Sequence, residues 1–185
     1  MYSKPLRDNI VKKEHWELNT FDKVDWKAYG RTFRKMSRTR QITWAKLSHR
    51  LLQTNSQNAR FYGAEPSCPC CNKVEETYSH MLTCGSEVMT AERDRLLEVY
   101  CEVLADIGTP PKITSMLLQG LQSWCRTQQE NLVVQVMGEQ GTLVDKACWE
   151  AYFEQTYVIG WEQFLRGRVS KQWGKVVSAD NQLAA

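Results

Sequence analysis

Apolar residues recur along most of this chain at intervals of three and four, the period of helices that turn one face to a core. Residues 25–38 carry Trp26, Tyr29, Phe33 and Met36 on one side of such a helix, with Lys27, Arg31, Arg34, Lys35 and Arg38 opposite. A second helix is predicted over Ile42–Gln53, burying Trp44, Leu47, Leu51 and Leu52 with His49 at the edge of that arc, and the polar run TNSQNAR (54–60) reads as a loop. Ser86 is a candidate N-cap for a long helix to about Ile107, in which Met89, Leu96, Tyr100, Val103 and Ile107 recur at helical spacing before Gly108, Pro110 and Pro111 end it. Thr109 and Pro110 can start the next helix, with Ile113, Leu117, Leu121 and Trp124 facing inward. Residues 127–142 leave helix and strand open for NLVVQVM, with Gly138 and Gly141 marking a loop. From Val144 to about Val177 the pattern is helical again, interrupted near Gly160. Trp161, Leu165, Val169 and Trp173 form one stripe there, and Arg168, Lys171 and Lys175 a second basic face. The expectation is a mainly α protein, a helical bundle.

Length and composition narrow this further. At 185 residues and 42% hydrophobic, the chain can bury one core, with room for a small metal-held appendage. Three segments are expected: a basic helical lead-in (1–65), a small inserted module (66–85) and a helical domain packing with the lead-in (86–185). No apolar run approaches the roughly 18 residues of a membrane span, and the polar start MYSKPLRDNIVKKE lacks the apolar region of a signal peptide. These features predict an intracellular protein, nuclear or cytoplasmic, without a membrane partner. Seven cysteines, an odd number, fit reduced thiols better than a disulfide framework. Cys101, Cys125 and Cys148 read as small buried hydrophobes.

The net charge of +3 conceals an asymmetry. Residues 1–60 hold 14 Lys or Arg against 5 Asp or Glu, whereas residues 61–185 hold 10 against 16. Between Asp25 and Glu65 there is no acid at all, while Lys27, Arg31, Arg34, Lys35, Arg38, Arg40, Lys46, Arg50 and Arg60 fall there. Solvated faces normally mix signs, so a run of one sign implies a polyanionic partner.

The densest chemistry lies in PSCPCCNKVEETYSHMLTC, residues 66–84, where Cys68, Cys71, His80 and Cys84 stand as C-x2-C-x8-H-x3-C. Structural Zn2+ takes four soft or borderline donors in a tetrahedron, and thiolate with imidazole is a preferred mixture. Two cysteines separated by two residues can share an ion across a tight turn that Pro69 stiffens, and Asn72 tolerates the left-handed conformation that often follows the second ligand. His80 and Cys84, four apart, can lie on one face of a helix that Thr77 caps and Gly85 stops. Cys70 is left over from a four-coordinate site. The expected module is thus a Cys3His zinc knuckle, and four protein ligands close it to the water that a catalytic zinc needs.

The stretch from about Phe33 to Cys84 resembles the reverse-transcriptase zinc-binding family, a region that follows the polymerase domain in proteins of non-LTR retrotransposons. A basic aromatic lead-in, RTFRKMSRTRQITWAKLSHRLLQT, precedes CPCCN and then EETYSHMLTC, where the family commonly shows a CPxCG-like knuckle followed by ET, two residues, His and Cys. Asn72 replaces the glycine often found after the second knuckle cysteine. IGWEQFLRGRVSKQW also looks like the tail of some such elements. The resemblance implies a module that binds template RNA or target DNA beside a polymerase domain in the same polyprotein. By itself it would be non-catalytic: a paired-aspartate YxDD-type motif is absent, and Glu75 and Glu76 beside His80 are the strongest hint of an enzyme. The alternative is a zinc-stabilised helical scaffold for protein interactions.

Overall fold

The computed structural model describes residues 4–127 and 143–183, which are helical with no strand among them. In chain order the helices are α1 (Lys4–Glu14), α2 (Leu18–Lys23), α3 (Trp26–Lys35), α4 (Arg38–Ser48), α5 (Asn55–Tyr62), α6 (Tyr78–Thr83), α7 (Glu87–Asp106) and α8 (Pro111–Thr127). After residues 128–142, which hold most of the ambiguous segment and lie outside the described residues, come α9 (Leu143–Phe153), a π-helical turn (Glu154–Ile159), α10 (Trp161–Leu165) and α11 (Lys171–Leu183). No described helix is long and apolar enough to cross a membrane. The chain divides into two compact units, Met1–Met36 with Gln135–Ala185, and Ser37–Val134. This boundary cuts through the basic lead-in and puts residues 66–85 in one unit with α4, α5, α7 and α8.

In the first unit, α9 packs on α11, and the π-helical turn meets α2, α9 and α10. Trp161, Tyr152, Ala151, Cys148, Ile159, Trp173 and Val176 are buried there together with Phe21 and Val24. The predicted stripe through Trp161, Leu165, Val169 and Trp173 does not form one helical face. The helix ends at Leu165, Gly167 takes a left-handed φ of 79°, and Ser170 pairs in a bridge with Val24, so only the two tryptophans are buried.

The second basic face loses one of its three members: Lys171 and Lys175 are exposed, but Arg168 is not. Arg168 is buried: its Nη1 lies 3.0 Å from Glu14 Oε1, and its guanidinium sits 5.4 Å from the centre of the Trp16 ring. Arg166 donates to both oxygens of Glu14 at 2.6 and 2.7 Å, and Gln163 Nε2 donates at 3.1 Å. Lys171 donates to the Asp22 carbonyl. Burial raises the Glu14 carboxyl, but the Arg166 bond, the Arg168 charge and Gln163 outweigh it and hold the group far below the ordinary range. Burial and the Arg166 charge lower Arg168, with Glu14 opposing.

In the second unit, α7 and α6 both pack on α8. The inward face predicted for α8 is the observed one: Ile113, Leu117, Leu121 and Trp124 are buried. On α7 the predicted stripe is covered only in part, at the half-buried Met89 and Tyr100. Leu96, Val103 and Ile107 are exposed, and Leu104 is buried with Leu97, Tyr100 and Cys101 half-buried. This helix is apolar on two sides, and periodicity alone does not say which side α8 covers. The helix expected over 42–53 is displaced to Arg38–Ser48, because Ser37 caps it early and Arg50 turns left-handed at φ 56°, leaving Leu51 exposed. The expected loop 54–60 is α5 instead, with Thr54 accepting from the Gln57 backbone N–H. Thr54 and Gln57 have the spacing of a capping box, a start signal present in the sequence. Of the three other cysteines, Cys148 is buried, while Cys101 and Cys125 are half-buried.

Candidate metal centre

The loop from Pro66 to Glu76 folds back on itself through local backbone bonds. Glu76 N–H donates to the Pro66 carbonyl at 2.9 Å and Cys68 N–H to the Val74 carbonyl at 2.8 Å, with Ser67 and Glu75 bridged between them. At its tip, Asn72 N–H closes a turn onto the Cys68 carbonyl at 2.8 Å, and Asn72 has the left-handed φ of 54° expected of it. The turn aims amide protons at sulfur. Cys70 and Cys71 N–H groups donate to the Cys68 thiol, and Lys73 and Val74 N–H groups to Cys71.

Helix α6 supplies the third group. Thr77 caps it, its hydroxyl accepting from the His80 N–H at 3.1 Å. Cys84 arrives differently from expectation: α6 ends at Thr83, and Cys84 itself leaves the helix at φ −54°, ψ 125°. Gly85 is not left-handed and does not act as the stop. The following residues hold Cys84 in place. Arg93 of α7 donates to the Cys84 carbonyl at 2.7 Å, and Ser86, the N-cap of α7, lies 3.5 Å from the Cys84 sulfur.

The result is that Cys68, Cys71, His80 and Cys84 place their donor atoms within 4.8 Å of one another, a group that could hold a metal ion. Cys68 Sγ is 3.8 Å from Cys84 Sγ, and Cys71 Sγ is 3.4 Å from His80 Nε2. All seven cysteines are free, so no disulfide competes for these sulfurs. Cys70 is exposed and stands outside the group. The Lys73 N–H leads in lowering the Cys71 thiol, burial opposes, and His80, Val74 and Cys68 add to the lowering, which brings it to about 6. Burial instead pushes the Cys68 thiol up, against the amides of Cys71 and Cys70.

Helix α5 braces the loop through residues that periodicity did not single out. Asn55 N–H donates to Glu76 Oε2 at 2.7 Å and Asn55 Nδ2 to the Ser67 carbonyl at 2.9 Å. Ser56 N–H reaches the Glu76 carbonyl at 3.3 Å. Glu75 and Glu76 are thus tied into this scaffolding.

The candidate polyanion-binding residues are divided between the two units. Lys27, Arg31, Arg34 and Lys35 are exposed on α3, in the first unit, opposite the half-buried Trp26, Tyr29 and Phe33. Arg38, Arg40 and Lys46 are exposed on α4, in the unit that holds the metal centre. Arg50 is half-buried in the turn after α4, its carbonyl accepting from Gln57 Nε2 at 3.1 Å. Among the described residues the other seven form no ion pair. Comparison with models of protein families, with curated proteins and with solved structures finds no match to this chain.

Proposed function

We propose that this chain is a zinc-stabilised, non-catalytic nucleic-acid-binding module that engages template RNA or target DNA for a reverse-transcriptase-type protein. Zinc is favoured by the donor set, three thiols and an imidazole. With bonds of about 2.3 Å to sulfur and about 2.0 Å to nitrogen, a tetrahedron has a sulfur–sulfur edge of about 3.8 Å and a sulfur–nitrogen edge of about 3.5 Å. The Cys68–Cys84 and Cys71–His80 separations of 3.8 and 3.4 Å are close to these, within a group whose donor atoms spread to 4.8 Å. Bound there, zinc would supply a crosslink joining the 66–76 loop to the end of α6.

The observation that carries nucleic-acid binding is the exposure of Lys27, Arg31, Arg34, Lys35, Arg38, Arg40 and Lys46 in a stretch of chain without a single acid. The resemblance of residues 33–84 to reverse-transcriptase zinc-binding regions points the same way. Release of condensed counterions makes the test quantitative. Four phosphate contacts to a single strand imply a slope of log affinity against log salt of about −3, and replacing Arg34 and Arg38 by Gln should reduce its magnitude by about 1.4. An unaltered slope in a normally folded double variant would reduce these cations to a solvated face. The alternative, a helical scaffold for protein interactions, draws on the exposed Val88, Leu96, Val99 and Val103 of α7 and its C-cap Ile107.

A further inference from the structure

Phe61 and Tyr62 are 68% and 81% exposed, adjacent in sequence, with ring centres 6.4 Å apart at an interplanar angle of 60°. Burial of aromatic side chains is among the larger favourable contributions a fold can make, so two neighbouring rings left in water call for an occupant. Their support is firm. They end α5, whose left-handed C-cap Gly63 closes the last turn by donating to the Ala59 carbonyl at 3.0 Å. The start of α5 is bonded to the metal loop through Asn55 and Ser56, and its far end runs within three residues into Pro66 of the same loop.

The surroundings of the rings indicate what fits them. The Arg60 guanidinium lies 5.6 Å from the centre of the Phe61 ring, so a cation and two π faces are presented together. The chain before them is free of acids back to Asp25; of the acids after them, Glu65 accepts from the Ser67 hydroxyl at 2.6 Å, and Glu75 and Glu76 are bonded to Ser56 and Asn55 at the opposite end of α5. Single-stranded nucleic acid offers bases to stack and phosphates to pair with arginine, whereas a duplex keeps its bases stacked inside. We propose that Phe61 and Tyr62, together with Arg60, form a base-stacking platform for single-stranded nucleic acid beside the metal centre. This rests on the nucleic-acid reading above and deepens it, by assigning the strand state of the ligand and the residues that meet its bases.

The test uses the full chain prepared with zinc and three labelled probes of equal length: oligothymidylate, an all-abasic phosphodiester oligomer and a duplex, followed by fluorescence anisotropy. Oligothymidylate should bind more tightly than the other two. Each ring replaced by Ala should weaken oligothymidylate by roughly fivefold to a hundredfold, and Phe61→Ala with Tyr62→Ala should bring it to the abasic level. The salt slope should not change. Both rings are exposed, so folding should be preserved, and Phe61→Trp with Tyr62→Trp should retain the preference for bases. If the abasic oligomer binds as well as oligothymidylate and the Ala pair changes neither, stacking is overturned while the electrostatic reading stands. If no probe binds, both fall. Wild-type self-association in sedimentation that the Ala pair abolishes, with oligomer binding untouched, would make the rings a protein contact instead.

Discussion

Cys70 and Cys71 are neighbours with opposite roles, and backbone geometry separates them. Two amide protons point at the Cys71 sulfur, which stands 3.4 Å from His80 Nε2, while Cys70 is exposed outside the group. Cys71→Ser should therefore lose most of its bound zinc and Cys70→Ser keep it, as read by metal content per chain. The reverse pattern would overturn the ligand assignment. Glu14 makes a second residue-scale case, since it is the carboxylate that faces both buried arginines Arg166 and Arg168. Its folded value lies below the ordinary carboxylate value of about 4.3, so the stability it contributes is fully present above that value and is lost as pH falls below it. Glu14→Gln leaves Arg168 facing a neutral group and Arg166 with only the longer pair to Glu162 at 3.7 Å, and should cost about 3–5 kcal/mol at neutral pH. Denaturant unfolding should show the gap between wild type and variant narrowing between pH 5 and pH 3, by about the difference the linkage predicts. A gap independent of pH would remove Glu14 from that role.

At the scale of the element, α4 is built against its own dipole. Ser37 caps it, but its first turn carries Arg38 and Arg40 and no acid. Cations at a helix N-terminus are unfavourable by about 0.3–1 kcal/mol each. Arg40→Glu should accordingly raise thermal stability slightly while weakening nucleic-acid binding. A variant that is more stable yet binds unchanged would argue that Arg40 plays no part in recognition. Of these elements, α8 was legible in the sequence because its apolar residues occupy a single face, and α6 because Thr77 caps it. The inward face of α7 was not, since two apolar stripes satisfy the same period. Helix α5 was missed because its polar composition hides the start signal at Thr54 and Gln57.

Across the whole molecule, the metal centre belongs to the unit Ser37–Val134, and the Glu14 network belongs to the other. Structural zinc can contribute on the order of 10 kcal/mol to folding a small module. Chelation should therefore remove hydrogen-exchange protection first from residues 66–85 and from α5, which is bonded to that loop, while α9 and α11 keep theirs. Uniform loss of protection through both units would contradict a metal effect confined to one. The ligand set was readable from spacing because a tetrahedral ion fixes the separation of its donors, and C-x2-C with H-x3-C meets that constraint within one short segment. What the spacing did not hold is how Cys84 arrives, by leaving the helix rather than sharing its face with His80. The charge pattern was equally plain in the sequence. Its division between two units was not, because the assignment of α3 to one unit and α4 to the other depends on contacts far apart in sequence. Arg168 is the clearest instance: as a residue in a row of cations it reads as surface, and only the return of Glu14 from the other end of the chain makes its burial possible. Local spacing specifies local chemistry, whereas burial is decided by which distant segments come back to cover it.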